Sequence, residues 1–270
     1  MKVSSQRALE CASAAALAVG RLMRKEKTAR KKINEETRYD IKLELDVRCQ
    51  KLIEKALLGA FPQSSVLGEE GDAGGADAAY RWVVDPIDGT VNFAYGIPHS
   101  CVSIALQERL ESGEFSTVAG VVHDPFCGEL WTAARGRPAR LNGKVVHVSR
   151  RKELDHAIIS IGFSKTRESL RENLPVFNEL IQRVRKIRMM GAAALALVYV
   201  ASGRFDAYIE SGISLWDIAA GGLILECAGG EFWHHPMPGT SQYAMIANNG
   251  LLRAKLESAA RQARRHMSIP

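Results

Sequence analysis

The stretch Trp82-Val83-Val84-Asp85-Pro86-Ile87-Asp88-Gly89-Thr90 constrains this chain more than any other, because a buried-strand pattern runs directly into two acids. A β-branched run that meets Asp-Pro reads as a strand that stops abruptly: Pro86 brings no N–H to a ladder, and Gly89 permits a sharp turn. Asp85, Asp88 and the carbonyls between them then converge at the strand's carboxyl end. Open α/β sheets hold ligands at that end, and hard cations such as Mg²⁺ take carboxylate and carbonyl oxygens. Asp, Pro and Gly also build ordinary surface turns, so the rest of the chain has to decide between the two readings.

A chain of 270 residues, 46% hydrophobic and 24% charged, has room for a substantial core in one large domain or two modest ones, which excludes disordered and fibrous classes. The net charge of +6 favours anionic partners, yet much of the excess lies in residues 24–32 and 261–265. Neither cluster interleaves aromatics with its bases, so both read as solvated faces, and no nucleic-acid polymer is expected as a partner. Cys11, Cys49, Cys101, Cys127 and Cys227 are scattered without a C-x-x-C pair, the usage of reduced thiols in a cytoplasm.

Residues 8–20 imitate a signal peptide, but Glu10 interrupts them, and Leu9, Ala12, Ala16, Val19 and Met23 recur at helical spacing. That pattern predicts an amphipathic helix of the mature protein. No run is long and apolar enough to span a bilayer, so no membrane partner is expected.

A second helical pattern carries Leu52, Ile53, Ala56 and Leu57, stops at Gly59 and is closed by Phe61-Pro62. Residues 65–68 form a short strand running into Glu69-Glu70. Residues 100–148 read as an antiparallel meander, with turns at Glu111-Ser112-Gly113, Asp124-Pro125, Cys127-Gly128 and Asn142-Gly143. From Ala157 the pattern alternates: strands at 157–161, 186–189, 205–209 and 244–247, with helices at 170–183, 192–201, 217–228 and the C-terminus. The expected fold class is α/β, an α+β half (1–150) followed by an α/β half (151–270), in one compact unit.

Two further acids stand at element ends, Glu69 after the short strand and Asp217 at the start of a small-residue helix, where it could simply complement the helix N-terminus. Gly68-Glu69-Glu70, then residues 82–93 through Asn92-Phe93, then Trp216-Asp217-Ile218 with Ala220-Gly221 resemble, in order and spacing, the motifs of the inositol monophosphatase family. These are lithium-sensitive, Mg²⁺-dependent phosphatases. The resemblance runs from about residue 40 to about residue 250 and includes Gly191-Ala192-Ala193 and Glu210.

It implies a layered αβαβα sandwich of the inositol monophosphatase and sugar phosphatase type, a homodimer, and a phosphomonoesterase acting on a small phosphorylated polyol. Myo-inositol monophosphate comes first. Histidinol phosphate, fructose 1,6-bisphosphate and 3′-phosphoadenosine 5′-phosphate are alternatives within the fold, and a non-catalytic metal-binding relative is an alternative of another class.

By the same resemblance, Glu69, Asp85 and the Ile87 carbonyl hold one Mg²⁺, while Asp85, Asp88 and Asp217 hold a second. Thr90 and Asp46 orient and deprotonate the attacking water, and the backbone of Gly89 and Thr90 receives the phosphate. Gly191, Ala192, Ala193 and Glu210 contact the substrate. The chain departs from the family in two places. The pattern D-x-V-T-x-x-D is here Asp40-Ile41-Lys42-Leu43-Glu44-Leu45-Asp46, and Ala192 stands where a threonine is frequent. His234-His235, followed by Pro236, reads as a loop, and Cys101 and Cys227 as packing residues.

Overall fold

Ala8, Ala12, Ala15, Ala16, Val19 and Met23 form the buried stripe of α1 (Ser5–Glu26), as their spacing of three and four residues requires, while Leu9 is only partly covered. A computed structural model describes residues 3–27, 33–36, 41–163 and 167–267; Asp40 and residues 28–32 of the basic segment lie outside the described residues. A small hairpin of β1 (Ile33–Glu36) and β2 (Ile41–Leu43), which the sequence pattern does not reveal, leads into α2 (Glu44–Ala60).

A seven-stranded sheet follows, built in the order β3 (Ser65–Gly68), β4 (Tyr80–Asp88), β5 (Cys101–Arg109), β6 (Phe115–Asp124), β7 (Glu129–Ala134), β8 (Arg140–Leu141) and β9 (Lys144–Val145). The short helix α3 (Thr90–Ala94) lies between β4 and β5. The second sheet has five strands, in the order β11 (Lys186–Arg188), β10 (Ile158–Ile161), β12 (Ala207–Ile213), β14 (Tyr243–Asn248) and β13 (Glu231–Pro236). Its helices are α4 (Arg167–Ile181), α5 (Ala193–Ala201), α6 (Leu215–Cys227) and α7 (Arg253–Met267).

Three cores tie together five layers, the middle core lying on both faces of α5 and α6, giving the αβαβα sandwich. One lies between α1/α2 and the first sheet, with Trp82, Val84 and Ile104 among its residues. The middle core joins Val83, Cys101 and Ala105 of the first sheet to α5, α6 and the strands β12 and β14. A third lies between the second sheet and α4/α7, with Ile159, Leu180 and Leu256. β4 is covered on both faces, which is why its sequence is a continuous apolar run rather than an alternating one. α6 likewise lies between two sheets, and its buried run Ile218–Leu225 is apolar all round.

Two local expectations are corrected. β4 does not stop at Asp85 but continues through Pro86 to Asp88, because the pairing with β5 shifts register between Asp85 and Asp88. That irregularity seats a proline, which has no N–H for the ladder. His234 and His235 are not in a loop: they pair with Met245 and Ala244 on β13, the edge strand of the second sheet. An edge strand tolerates both a terminal proline and polar side chains, so its sequence carries little strand signal. No described helix is long and apolar enough to cross a membrane.

Candidate metal centre and active site

Pleating decides where the acids go. Trp82 and Val84 enter the outer core and Val83 the middle one, so Asp85 follows Val83 onto the face that looks at α6. β3 runs parallel to β4 with Gly68 beside Val84, and the Glu69 N–H donates to the Val84 carbonyl at 3.2 Å, which sets Glu69 next to Asp85. On the other side, β5 places Ser103 opposite Asp85 and Cys101 opposite Asp88. The Ser103 hydroxyl donates to the Trp216 carbonyl at 3.1 Å and so ties the first turn of α6 to the sheet.

Asp217 occupies that first turn. Its carboxylate accepts the Ser214 N–H at 2.9 Å, so the helix-capping role is real, yet one oxygen each from Asp85, Asp88 and Asp217 still meet within 4.8 Å. Asp85 and Asp88 are buried and Asp217 is half-buried.

Asp88 has a second task. Its two oxygens accept the N–H groups of Ala193 at 3.0 Å and Ala194 at 2.7 Å, and the Cys101 thiol donates to it at 3.5 Å. Ala192, at the N-cap of α5, has no side chain able to cap, so Asp88 caps that helix from another part of the chain. Gly89 adopts φ 87°, and a side chain there would stand 3.0 Å from both the Gly191 and the His99 carbonyl. The Asn92 amide holds this junction closed, donating to the carbonyls of His99 (2.9 Å), Met190 (2.8 Å) and Gly191 (3.3 Å).

The remaining predicted residues fall around this cluster in different ways. The Ile87 N–H donates to Asp85 at 2.9 Å, and the Ile87 carbonyl accepts the Thr90 hydroxyl at 2.9 Å, leaving a second lone pair on that oxygen. Asp46 is buried in the first turn of α2, where it accepts the Leu43 N–H at 2.8 Å; it is not one of the three acids that converge. Glu210 sits in the middle of β12 rather than at a strand end, and the phenol of Tyr208 donates to it.

The electrostatics are those of a site that needs a cation. Burial pushes Asp85 well above the ordinary carboxylate range, and the charges of Glu69, Asp88 and Asp217 push it further. Asp217 is raised for the same reasons, burial first and then Asp88 and Glu69. Burial raises Asp88 to about 6, against the lowering effect of the α5 amides. Among the described residues no Lys or Arg is ion-paired with Asp85, Asp88 or Asp217. A compact set of oxygen donors that repel one another suits a hard divalent ion.

The model of the inositol monophosphatase family matches residues 4–268. The chain belongs to that family. It is 43% identical over 206 residues to a Nus factor SuhB of Pseudomonas aeruginosa, covering 73% of each chain. It is 42% identical over 187 residues to an inositol-1-monophosphatase of Rhizobium meliloti, covering 68% of each. Among solved structures it resembles the extragenic suppressor protein suhB of Bartonella henselae with a TM-score of 0.85 and 33% identity, over 94% of this chain and 98% of that one.

Membership makes the chain a phosphatase of a generally metal-dependent family. Several groups that build the site escape a motif-based reading. Ser103 and Cys101 are polar interruptions in an apolar strand, a pattern that marks side chains aimed at something other than packing. Asn92 belongs to the motif, but its clamp on residues 99, 190 and 191 requires a chain reversal that only the fold supplies.

Proposed function

We propose that this family phosphatase hydrolyses the phosphate ester of a small polyol, myo-inositol monophosphate first, with Mg²⁺ as its cation. The observation that carries the reading is the convergence of three carboxylates, two buried and one half-buried, with one oxygen of each within 4.8 Å, and with Glu69 beside Asp85 in register. Buried charges of one sign cost several kcal/mol when left uncompensated, on the order of 3–5 kcal/mol for a broken pair. A scaffold that binds no cation has no use for that expense, which supports a metal-binding centre, and membership of a phosphatase family supports hydrolysis there over a non-catalytic metal-binding role. The same argument favours the activity in the name of the Rhizobium relative, alone or beside the role in the name of the Pseudomonas one.

Glu69, Asp85 and the Ile87 carbonyl would hold one cation, and Asp85, Asp88 and Asp217 a second. Bound there, such ions supply Lewis acidity and lower the pKa of the attacking water. Thr90 orients that water and Asp46 takes its proton, since a hydroxyl alone is a poor base. The amides of Gly89 and Thr90 receive phosphate oxygens, as helix starts do. Gly191 and Ala192 border the departing alcohol. The Ala193 N–H is engaged by Asp88, so Ala193 serves the site by holding a ligand. Glu210 accepts hydrogen bonds from two adjacent hydroxyls, a role open to a carboxylate with free lone pairs.

The test is Mg²⁺-dependent phosphate release from myo-inositol 1-phosphate, histidinol phosphate, fructose 1,6-bisphosphate and 3′-phosphoadenosine 5′-phosphate. The highest kcat/KM is expected for the first. A higher value for any other reassigns the substrate, and no release from any of them overturns the hydrolytic reading.

A further inference from the structure

Glu210 occupies space that a side chain at position 162 would claim. Gly162 follows β10, and its N–H donates to the Ile209 carbonyl of β12 at 3.0 Å, so the two backbones run side by side where Glu210 projects. The Gly162 backbone is not left-handed, and the residue is there for room. A Cβ built on it would stand 1.9 Å from Oε2 of Glu210 and 2.5 Å from Oε1.

Tyr208 lies two residues before Glu210, on the same face of β12. It is buried in the middle core, and its phenol donates to Oε2 of Glu210. Both groups feel the acid cluster: Asp88 acts on Glu210 and on Tyr208, and Asp217 acts on Tyr208. A long, flexible carboxylate is thus set in place beside the cluster before any substrate arrives. Oε2 accepts the phenol, while the other lone pairs, those of Oε1 included, remain for a ligand. Ordering a rotamer in advance removes an entropic cost from binding, and a specificity contact needs placement to a fraction of an ångström.

We propose that Tyr208 and Gly162 are positioning residues that set Glu210 to accept two adjacent hydroxyls of a phosphorylated polyol. Selectivity for vicinal-diol esters is then a property of three residues, with Tyr208 holding the carboxylate from one side and the bare Cα of Gly162 making its seat. The inference rests on the hydrolytic reading above and deepens it.

The experiment is steady-state hydrolysis, with Mg²⁺, of myo-inositol 1-phosphate and of p-nitrophenyl phosphate, which offers no hydroxyls. The proteins are the wild type, Tyr208→Phe, Gly162→Ala, Glu210→Gln and the double variant Tyr208→Phe/Glu210→Gln. Tyr208→Phe and Gly162→Ala should each raise KM for the inositol ester about tenfold, the effect of a lost hydrogen bond to a charged group. Each should leave kcat/KM for the artificial ester within about twofold of the wild type, and Tyr208→Phe should add less than about twofold once Glu210 is Gln.

Equal losses on both esters, no loss on either, or fully additive effects in the double variant would overturn the positioning role. Release from p-nitrophenyl phosphate but not from myo-inositol 1-phosphate in the wild type overturns the polyol pocket alone. Release from neither overturns the hydrolytic reading instead. Gly162→Ala needs only a flexible carboxylate to move, so it keeps the test open if removing the phenol loosens the core.

Discussion

Two groups of side chains among the described residues have the spacing to hold a metal ion, and they are built on opposite principles. Asp124, Cys127 and Glu129, at the turn between β6 and β7, bring one ligand atom each within 4.8 Å, just as Asp85, Asp88 and Asp217 do. At the turn, positive charge is supplied by the chain itself. Arg204 clasps Glu129 with both terminal guanidinium nitrogens and lies 4.9 Å from the Tyr199 ring centroid. Asp124 accepts the N–H groups of Phe126 at 2.8 Å and Cys127 at 3.0 Å. The Cys127 thiol is pushed up to about 11 by burial and by Asp124, so it stays protonated and is a poor ligand. At the β4 site, what Asp85 and Asp217 feel is each other, Glu69 and Asp88. Proximity of acids is therefore a weak sign of a metal centre. The sign that counts is acids gathered out of water for which, as for Asp85, Asp88 and Asp217 among the described residues, no cationic side chain forms an ion pair.

The largest effect that would break this contrast comes from Asp217→Asn. The amide keeps the volume and an acceptor for the Ser214 N–H, so the helix start survives while one ligand charge is lost. Turnover should fall by about a hundredfold or more, the scale on which essential electrostatic groups act; assays across Mg²⁺ concentrations check this, and unchanged turnover at limiting Mg²⁺ would remove Asp217 from the site. The smallest effect belongs to the turn. Glu129→Gln dissolves the ion pair with Arg204, a partly exposed interaction, and should lower stability by about 1 kcal/mol or less while leaving turnover unchanged. A denaturant melt beside the same assay measures both, and a steep loss of activity would show that the turn takes part in catalysis.

How much of this was legible depended on whether a residue acts through neighbours in sequence. The apolar run of β4 was legible as a buried strand, but D-P-x-D-G left a surface turn open, and its two acids gained a role only beside Glu69, Asp217 and the family resemblance. The β3–β4 register then makes Glu69 a neighbour of Asp85. Asp217 could not be placed by local rules, since its capping bond is what any helix-start acid would show, and the family resemblance supplied it. The trans cap from Asp88 to α5 was hidden for a related reason: Ala192 looked like a lost hydroxyl, whereas the fold had already filled the N-cap from a residue about a hundred positions away. Gly162 and Tyr208 carry no motif, and only the alignment of β10 with β12 gives them meaning. β13 was missed because an edge strand with exposed histidines shows little alternation to detect.

The measurement that bears most directly on the central claim is a calorimetric titration of Mg²⁺ into metal-free wild type and Asp85→Asn, at about pH 6 and about pH 8. Burial raises the site's carboxyls, and neighbouring acids add to this at Asp85 and Asp217, so a cation competes with protons for them and affinity should rise with pH through that range. The predicted result is Mg²⁺ binding in the wild type that tightens at the higher pH and is lost in Asp85→Asn. Equal binding by the two proteins, or wild-type binding indifferent to pH, would contradict the account.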